Sequence, residues 1–98
     1  AREMRGAMNR SVNAETANLL RSVRAGVRQA ATAERLMSAG LLEAGSLRWR
    51  AARARIASPD ASLAALAEDL EITRSSLQRA LASIEREARR LDTEPPLP

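Results

Sequence analysis

Residues 62–82 read SLAALAEDLEITRSSLQRALA, and this stretch decides the fold of the chain. Its apolar residues recur at the spacing of an α-helix, stop at a charged break, and then resume at the same spacing. The first set is Leu63, Leu66 and Leu70, and the second set is Leu77, Leu81, Ile84, Ala88 and Leu91. The spacing therefore predicts two amphipathic helices joined by a tight turn.

Capping and turn residues support this pattern. Asp60 or Ser62 can cap the first helix and Thr73 can cap the second, because a side-chain oxygen there accepts a hydrogen bond from a free backbone N–H. Small Ala67 leaves room for a crossing helix, and apolar Ile72 fills the turn from below. These features predict a helix-turn-helix. The alternative is that two helices of an ordinary small bundle meet at a short turn.

Glu71 lies in the turn between the two predicted helices. Gly or Asn is favoured at this place, because the backbone often needs a positive φ that other residues adopt at a cost. Glu71 is therefore the one residue of the stretch that does not fit the helix-turn-helix pattern.

The composition indicates an all-α fold. Alanine, arginine and leucine dominate the 98 residues, whereas Phe and Tyr are absent. Alanine, leucine and arginine are strong helix formers, and the aromatic and β-branched residues typical of strands are scarce. A chain of this length forms one domain, or one domain with an arm. We predict a long N-terminal helix followed by a three-helix helix-turn-helix domain.

The chain divides into four predicted parts. Asn13 can cap the long helix and Gly40 is a natural stop for it, whereas the C-terminal end is rich in proline and acidic residues. The parts are a linker at residues 1–13, a long amphipathic helix at 14–40, a helix-turn-helix domain at 46–92, and a disordered Pro-rich tail at 93–98. The apolar face of the long helix is expected to be core or a partner interface.

Charge is divided unevenly along the chain. All 16 basic residues are arginines, a residue suited to bidentate contacts with phosphate and guanine. Residues 1–58 carry 11 Arg against 4 acidic residues, a net charge of +7, and residues 59–98 carry 5 Arg against 8, a net charge of −3. We therefore expect any electrostatic attraction to DNA to come largely from the first half.

The second helix of the helix-turn-helix carries the candidate base contacts. Its N-terminal part would enter a major groove, with Arg74 and Arg79 on guanine O6 and N7 and Gln78 on an adenine edge. Hydroxyl residues near the helix N-termini would contact phosphates. These are Ser62, Thr73, Ser75 and Ser76. Further along, Arg86 and Arg90 would at best meet the DNA backbone, which Glu85 and Glu87 would repel.

Other arginines have a less direct prediction. Arg21, Arg24, Arg28 and Arg35 form one stripe on the long helix, which is either a row of phosphate contacts or a solvated face. Further on, Arg48, Arg50, Arg53 and Arg55 flank the next helix on both sides and are expected to be a solvated rim. Trp49, the one aromatic residue, is expected to be a core anchor and not a platform for stacking bases.

The residue types argue against catalytic and metal-binding functions. The chain has no His, Cys, Tyr or Lys to act as a base or an activated nucleophile. Acidic pairs such as Glu68 with Asp69, or Glu85 with Glu87, do not converge on one helical face as metal ligands. We expect no enzyme activity, cofactor, metal site or small-molecule ligand.

The sequence also bears on where the protein resides. No apolar run approaches the length of a membrane span, no signal peptide is visible, and cysteine is absent. The amphipathic long helix lacks the bulky aromatic anchors of a helix that lies on a membrane surface. We expect a cytoplasmic, nucleoid-associated protein.

Two runs of sequence resemble the WhiA-type family of regulators. Residues 9–19, NRSVNAETANL, resemble the segment that precedes the helix-turn-helix in that family, and residues 59–63, PDASL, resemble its entry. The resemblance covers about residues 3–91. In place of the usual recognition-helix run K-S-G-V-N-H-R-L, residues 74–81 read RSSLQRAL.

The resemblance implies a bacterial transcription factor that joins a domain similar to LAGLIDADG endonucleases, without nuclease activity, to a C-terminal DNA-binding domain. This chain is similar to the second part, and the resemblance implies that the first part precedes Ala1. It implies action at promoters with double-stranded DNA, RNA polymerase holoenzyme and a sigma factor as partners, in sporulation and cell division. The alternative is a protein-interaction module in which Glu68, Asp69 and Glu71 dock a sigma factor or a polymerase surface with little DNA specificity.

Overall fold

The computed structural model describes the backbone of residues 2–93 and the side chains of residues 14–93. Within this range the chain forms four α-helices and no β-strand. The helices are α1 (Arg2–Ser38), α2 (Leu47–Ala57), α3 (Leu63–Leu70) and α4 (Arg74–Thr93). The predicted all-α fold, with a long first helix followed by three shorter ones, is confirmed.

The first helix starts earlier than the sequence predicts. α1 includes residues 2–13, the segment predicted as a linker, so the helix does not start after Asn13, which lies inside it and does not cap it. This segment contains no proline, and an Asn or Gly inside a helix costs at most about 1 kcal/mol, so no residue in it stops the helix. At the other end Thr93 closes α4, and the rest of the predicted Pro-rich tail, residues 94–98, lies outside the described residues.

Gly40 stops α1 in the way that its sequence position predicts. Its φ is +72°, and its N–H donates to the carbonyl oxygen of Met37 at 3.1 Å. The N–H of Leu41 donates to the carbonyl oxygen of Leu36 at 3.0 Å. This pair of hydrogen bonds is the Schellman motif, in which a residue with positive φ satisfies the last free carbonyls of a helix.

The helix-turn-helix has the predicted caps. The Ser62 hydroxyl accepts a hydrogen bond from the N–H of Ala65 at 3.1 Å, and the Thr73 hydroxyl accepts one from the N–H of Ser76 at 3.0 Å. Between them Glu71 adopts the left-handed conformation, with φ 57° and ψ 41°. A non-glycine residue therefore occupies the strained position of the turn, as the mismatch in the sequence pattern indicates.

The core lies where α1, α2 and α4 meet, with α3 packed on α2 and α4. Leu36, Leu77 and Ile84 are its largest fully buried side chains. Alanines on all four helices let the backbones approach closely. The buried alanines are Ala33, Ala51, Ala52, Ala67, Ala80 and Ala88. This packing holds α4 along its length while its N-terminal turns remain at the surface.

Gly26 marks the closest approach of α1 to the turn between α2 and α3. A Cβ atom built at Gly26 would lie 2.0 Å from the carbonyl oxygen of Pro59, far inside van der Waals contact. The Arg55 guanidinium lies beside the same glycine, with one terminal nitrogen 2.9 Å from that Cβ position. Only glycine therefore allows α1 to cross the turn at this distance.

Arg55 is buried under this crossing, although the sequence predicts it in a solvated rim. It is 3% exposed, and its Nε donates to Gln29 Oε1 at 2.9 Å. Its Nη1 donates to the carbonyl oxygens of Ala61 at 2.6 Å and Ser58 at 3.4 Å. Burial lowers the pKa of Arg55, and the nearby Asp60 carboxylate partly offsets that shift. Arg55 thus ties α1 to both ends of the α2–α3 connection.

The apolar face of α1 is buried only in its C-terminal half. Ala33 and Leu36 are in the core, whereas Leu19, Leu20 and Val27 are about half exposed or more. Within residues 14–38, α1 therefore carries exposed apolar side chains ahead of its buried C-terminal turns. None of the helices in the described part of the chain combines the length and hydropathy needed to cross a membrane.

Candidate nucleic-acid interface

The N-terminal turns of α4 present the three predicted base-contacting residues to solvent. Arg74, Gln78 and Arg79 are all exposed, and by the helical period Arg79 lies opposite buried Leu77 and Leu81, whereas Arg74 and Gln78 lie to one side of them. Arg74 and Gln78 are four residues apart, so they lie one above the other on the helix surface. Arg79 is on the adjoining row, and its Nη2 lies 3.5 Å from the Ser76 hydroxyl. The structure thus brings the three together on one exposed surface.

The predicted phosphate-contacting hydroxyls fall into two groups. Thr73, Ser75 and Ser76 lie at the N-terminus of α4, next to Arg74, Gln78 and Arg79. Ser62 is at the far end of α3, roughly 12 Å away along a helix of this length. The Thr73 hydroxyl caps the helix and donates to Ser76 Oγ at 2.9 Å, so the Ser76 hydroxyl keeps its own hydrogen for an acceptor outside the protein.

Acidic side chains surround the other side of the turn. Glu68, Asp69 and Glu71 are exposed at the end of α3, and none of them forms an ion pair within residues 14–93. Arg50 approaches from α2 and donates to the carbonyl oxygen of Leu70 at 3.1 Å, at the negative end of the α3 dipole. One side of the helix-turn-helix is therefore acidic, and the other carries the residues predicted to contact bases.

The C-terminal part of the arginine stripe of α1 lies beside α4. Arg21, Arg24 and Arg28 are exposed, and Arg28 lines a groove between α1 and α4 together with Glu85. In the same groove Arg35 forms an ion pair with Asp92, at 2.9 Å between Nη2 and Oδ1. Arg28 and Glu85 are 57 residues apart in sequence, and so are Arg35 and Asp92, so α1 and α4 run in the same direction. Arg24 and Arg21 precede Arg28 by one and two helical turns, toward the N-terminal end of α4.

Two charged groups in this groove are already paired. The hydrogen bond from Arg35, followed by the attraction of its positive charge, lowers the pKa of the Asp92 carboxyl. The same contacts raise the pKa of the Arg35 guanidinium. Both side chains are more than half exposed, so this ion pair contributes little to stability. Arg35, the last member of the predicted stripe, is therefore engaged within the protein.

The arginines of α2 differ from the solvated rim that the sequence predicts. Arg48 is half-buried and donates through Nη2 to Glu87 Oε2 of α4, and Arg55 is buried, whereas Arg50 and Arg53 are exposed. Trp49 packs against the core, with the guanidinium carbon of Arg53 4.8 Å from the centre of its ring. The indole is a core anchor with a cation over its outer face. No pattern in the sequence marks the Arg48–Glu87 pair, whose members are 39 residues apart.

Within residues 14–93 no group of three acidic side chains is placed to hold a metal ion. The exposed residues at the N-terminus of α4 offer the guanidinium groups of Arg74 and Arg79, the Gln78 amide and hydroxyls. These groups donate hydrogen bonds to phosphate oxygens and to base edges.

Comparison with known proteins also identifies a helix-turn-helix. The family described as the WhiA C-terminal HTH domain matches residues 8–88. The chain is 38% identical over 94 residues to a probable cell division protein WhiA from Listeria monocytogenes. This alignment covers 92% of this chain and 29% of the relative. It is 46% identical over 68 residues to the protein of the same name from Symbiobacterium thermophilum. That alignment covers 68% of this chain and 22% of the relative.

The chain thus spans less than a third of the length of these curated relatives. No solved structure matches it. The family match covers most of α1, all of α2 and α3, and α4 up to Ala88. The chain therefore belongs to the WhiA C-terminal HTH domain family.

Proposed function

We propose that the chain binds duplex DNA in a sequence-specific manner, as the DNA-binding part of a bacterial transcription regulator. The observation that carries this proposal is the exposed N-terminus of α4, where Arg74, Gln78 and Arg79 share one surface beside a capped turn. A helix end of this kind fits the major groove, whose width admits one α-helix. Membership of a helix-turn-helix family supports the same assignment.

Binding would divide between two sets of residues. Arg74 and Arg79 donate to guanine O6 and N7, and Gln78 exchanges two hydrogen bonds with an adenine, so these residues select the sequence. The hydroxyls of Thr73, Ser75 and Ser76 and the arginines of α1 contact phosphates, which fixes the position of the domain without selecting bases. This division agrees with the charge of the chain, because the half that contains the helix-turn-helix has a net negative charge.

The cellular role follows from the relatives by inference. Because the two relatives are named as probable cell division proteins, we propose that this chain acts in the control of cell division, including sporulation. Regulation of this kind would place it at promoters together with RNA polymerase holoenzyme and a sigma factor, on the bacterial nucleoid.

A second function is favoured by one observation. Glu68, Asp69 and Glu71 form an exposed acidic surface at the end of α3 and take part in no ion pair within the described side chains. Such a surface suits a basic protein partner, so the domain would then dock a sigma factor or a polymerase surface with little preference among DNA sequences.

A selection experiment separates the two functions. The purified chain is incubated with a pool of random duplexes, the bound fraction is recovered and amplified over several rounds, and the product is sequenced. Enrichment of one motif by the wild-type chain, lost in the Gln78→Ala/Arg79→Ala variant, supports sequence-specific binding. A pool that stays random, together with saturable binding to a sigma-factor C-terminal region, overturns it in favour of the docking function.

A further inference from the structure

A cleft of about 400 Å³ lies between α2 and α4, apart from the groove between α1 and α4. Every residue that lines it is polar or charged. The lining consists of Arg48, Ser83, Arg86, Glu87 and Arg90. Three arginines against one glutamate give the cleft a formal charge of +2.

The single acid of the cleft is already neutralised. Glu87 accepts a hydrogen bond from Nη2 of Arg48, and both side chains are partly buried. The sequence alone predicts that Glu87 would repel a DNA backbone, but its charge is compensated inside the protein. The Nε of Arg48 is a buried donor without a partner among the described residues, so this guanidinium is not satisfied by Glu87 alone.

The other two arginines of the cleft are available to a ligand. Arg86 and Arg90 are exposed, and within residues 14–93 neither side chain forms an ion pair. They are four residues apart on α4, so their guanidinium groups lie one turn apart on one side of the helix, next to the Ser83 hydroxyl. Two guanidinium groups and a hydroxyl match the acceptor oxygens of one phosphate group.

The cleft also continues the base-contacting surface. Arg79, Arg86 and Arg90 follow one another at seven and four residues, which keeps them on one face of α4. Arg90 lies roughly 16 Å along the helix from Arg79. Because the major groove is about 12 Å wide, a helix with Arg79 on a base edge brings Arg90 to the sugar–phosphate backbone at the border of the groove.

We propose that this cleft is a phosphate-binding site, built by Arg86, Arg90 and Ser83 and held open by the Arg48–Glu87 pair. The phosphate belongs either to the DNA backbone or to a free phosphate-bearing molecule, since both offer the same oxygens. The first source rests on the proposed function, and the second does not.

The test for a DNA phosphate is the salt dependence of binding. Fluorescence anisotropy titrations of a labelled duplex at several salt concentrations give the slope of log K against log [salt], which falls by about 0.9 for each phosphate contact. We expect Arg86→Gln/Arg90→Gln to reduce the magnitude of this slope by about 0.9, the value for one phosphate, and to leave the preferred sequence unchanged. The charge-preserving Arg86→Lys/Arg90→Lys should keep most of the slope.

Arg53→Gln is the matched control. Arg53 is an exposed arginine on α2, five residues from Arg48 and therefore about 140° around that helix. Its loss removes one positive charge from the same molecule without touching the cleft. A slope that falls equally in Arg53→Gln and in a single Arg86→Gln variant reports net charge alone, and this result overturns a DNA phosphate in the cleft.

The test for a free phosphate uses inorganic phosphate as the probe. Amide chemical shifts of the chain are followed during a phosphate titration at constant ionic strength, with chloride as the compensating ion. Saturable shifts at Ser83, Arg86 and Arg90, absent in Arg86→Gln/Arg90→Gln, support this source. A titration without saturation, together with an unchanged DNA slope, overturns the proposal. If the wild-type chain binds no DNA, the proposed function fails and the phosphate titration alone decides the cleft.

Discussion

Arg79 lies at the second turn of α4, exposed and next to the Ser76 hydroxyl. A bidentate contact from this guanidinium to guanine O6 and N7 discriminates against other bases by about 1–3 kcal/mol. We therefore expect Arg79→Ala to weaken binding to the preferred duplex about 5- to 150-fold and to leave binding to unrelated duplexes nearly unchanged. Arg74→Ala should act in the same way at a different base pair.

Competition titrations with duplexes changed at one base pair measure this effect. The Arg79→Lys variant keeps the charge but lacks the planar fork of two donors, so it should also lose discrimination. Equal loss of affinity for all duplexes in Arg79→Ala would assign the side chain to a phosphate, and unchanged affinity in both alanine variants would remove α4 from the interface.

The backbone of Glu71 is strained, and a glycine at this position would relieve the strain. Its φ of 57° places a side chain in the left-handed region, which costs roughly 1 kcal/mol for residues other than glycine. We expect Glu71→Gly to raise the free energy of unfolding by about 1 kcal/mol, which corresponds to a rise in Tm of about 4–8 °C for a domain of this size.

Glu71→Ala separates strain from charge. It removes the carboxylate but keeps the Cβ atom that causes the strain, so its Tm should stay near the wild-type value. Thermal unfolding followed by circular dichroism measures both variants. A similar gain in Glu71→Ala and Glu71→Gly would show that repulsion among the acids of α3, and not the backbone, limits stability.

At the scale of elements, the crossing of α1 over the α2–α3 turn depends on Gly26. Glycine inside an exposed helix costs about 1 kcal/mol relative to alanine, so helix propensity alone predicts that Gly26→Ala stabilises the chain. The structure predicts the opposite sign, because the added Cβ would meet the Pro59 carbonyl oxygen at 2.0 Å and would press on Arg55. We expect a loss of about 1–3 kcal/mol in urea unfolding, as for other overpacked sites. A gain in stability would mean that α1 does not cross the turn as closely.

The sequence predicts the end of a helix where the cap is formed by residues close to that end in the chain. The sequence predicts Thr73 and Gly40 and narrows the first cap to Asp60 or Ser62, because each cap is made by hydrogen bonds among residues at most five positions apart. The start of α1 could not be predicted, since Asn13 is a possible cap but the segment before it contains nothing that stops a helix. A cap signal inside a continuous helical segment does not define an end.

Contacts between elements could not be predicted in the same way. The exposure of Arg79 follows from the helical period, because Leu77 and Leu81 on the opposite side of α4 must face the core. By contrast, Arg55 is buried because Gln29 and two turn carbonyls satisfy it and because Gly26 leaves space for it. These partners come from three segments, and their meeting depends on the tertiary fold.

At the scale of the whole molecule, the division of charge assigns separate tasks to the two halves. The first half is basic and the second is acidic, so the long-range attraction to DNA should come from α1 and the selection of sequence from α4. We expect Arg21→Gln/Arg24→Gln/Arg28→Gln to weaken binding to all duplexes alike and to reduce the salt slope by up to about 3. The sequence preference should not change.

Substitution is a better test of this division than truncation, because Ala33 and Leu36 of α1 are part of the core and the rest of the chain needs them. Arg21→Lys/Arg24→Lys/Arg28→Lys is the matched control, since lysine keeps the point charge that a phosphate contact requires. Anisotropy titrations over a range of salt concentrations compare the three proteins. If the glutamine variant keeps the wild-type slope, the stripe is a solvated face, and the acidic half must attract DNA through the arginines of α4 alone.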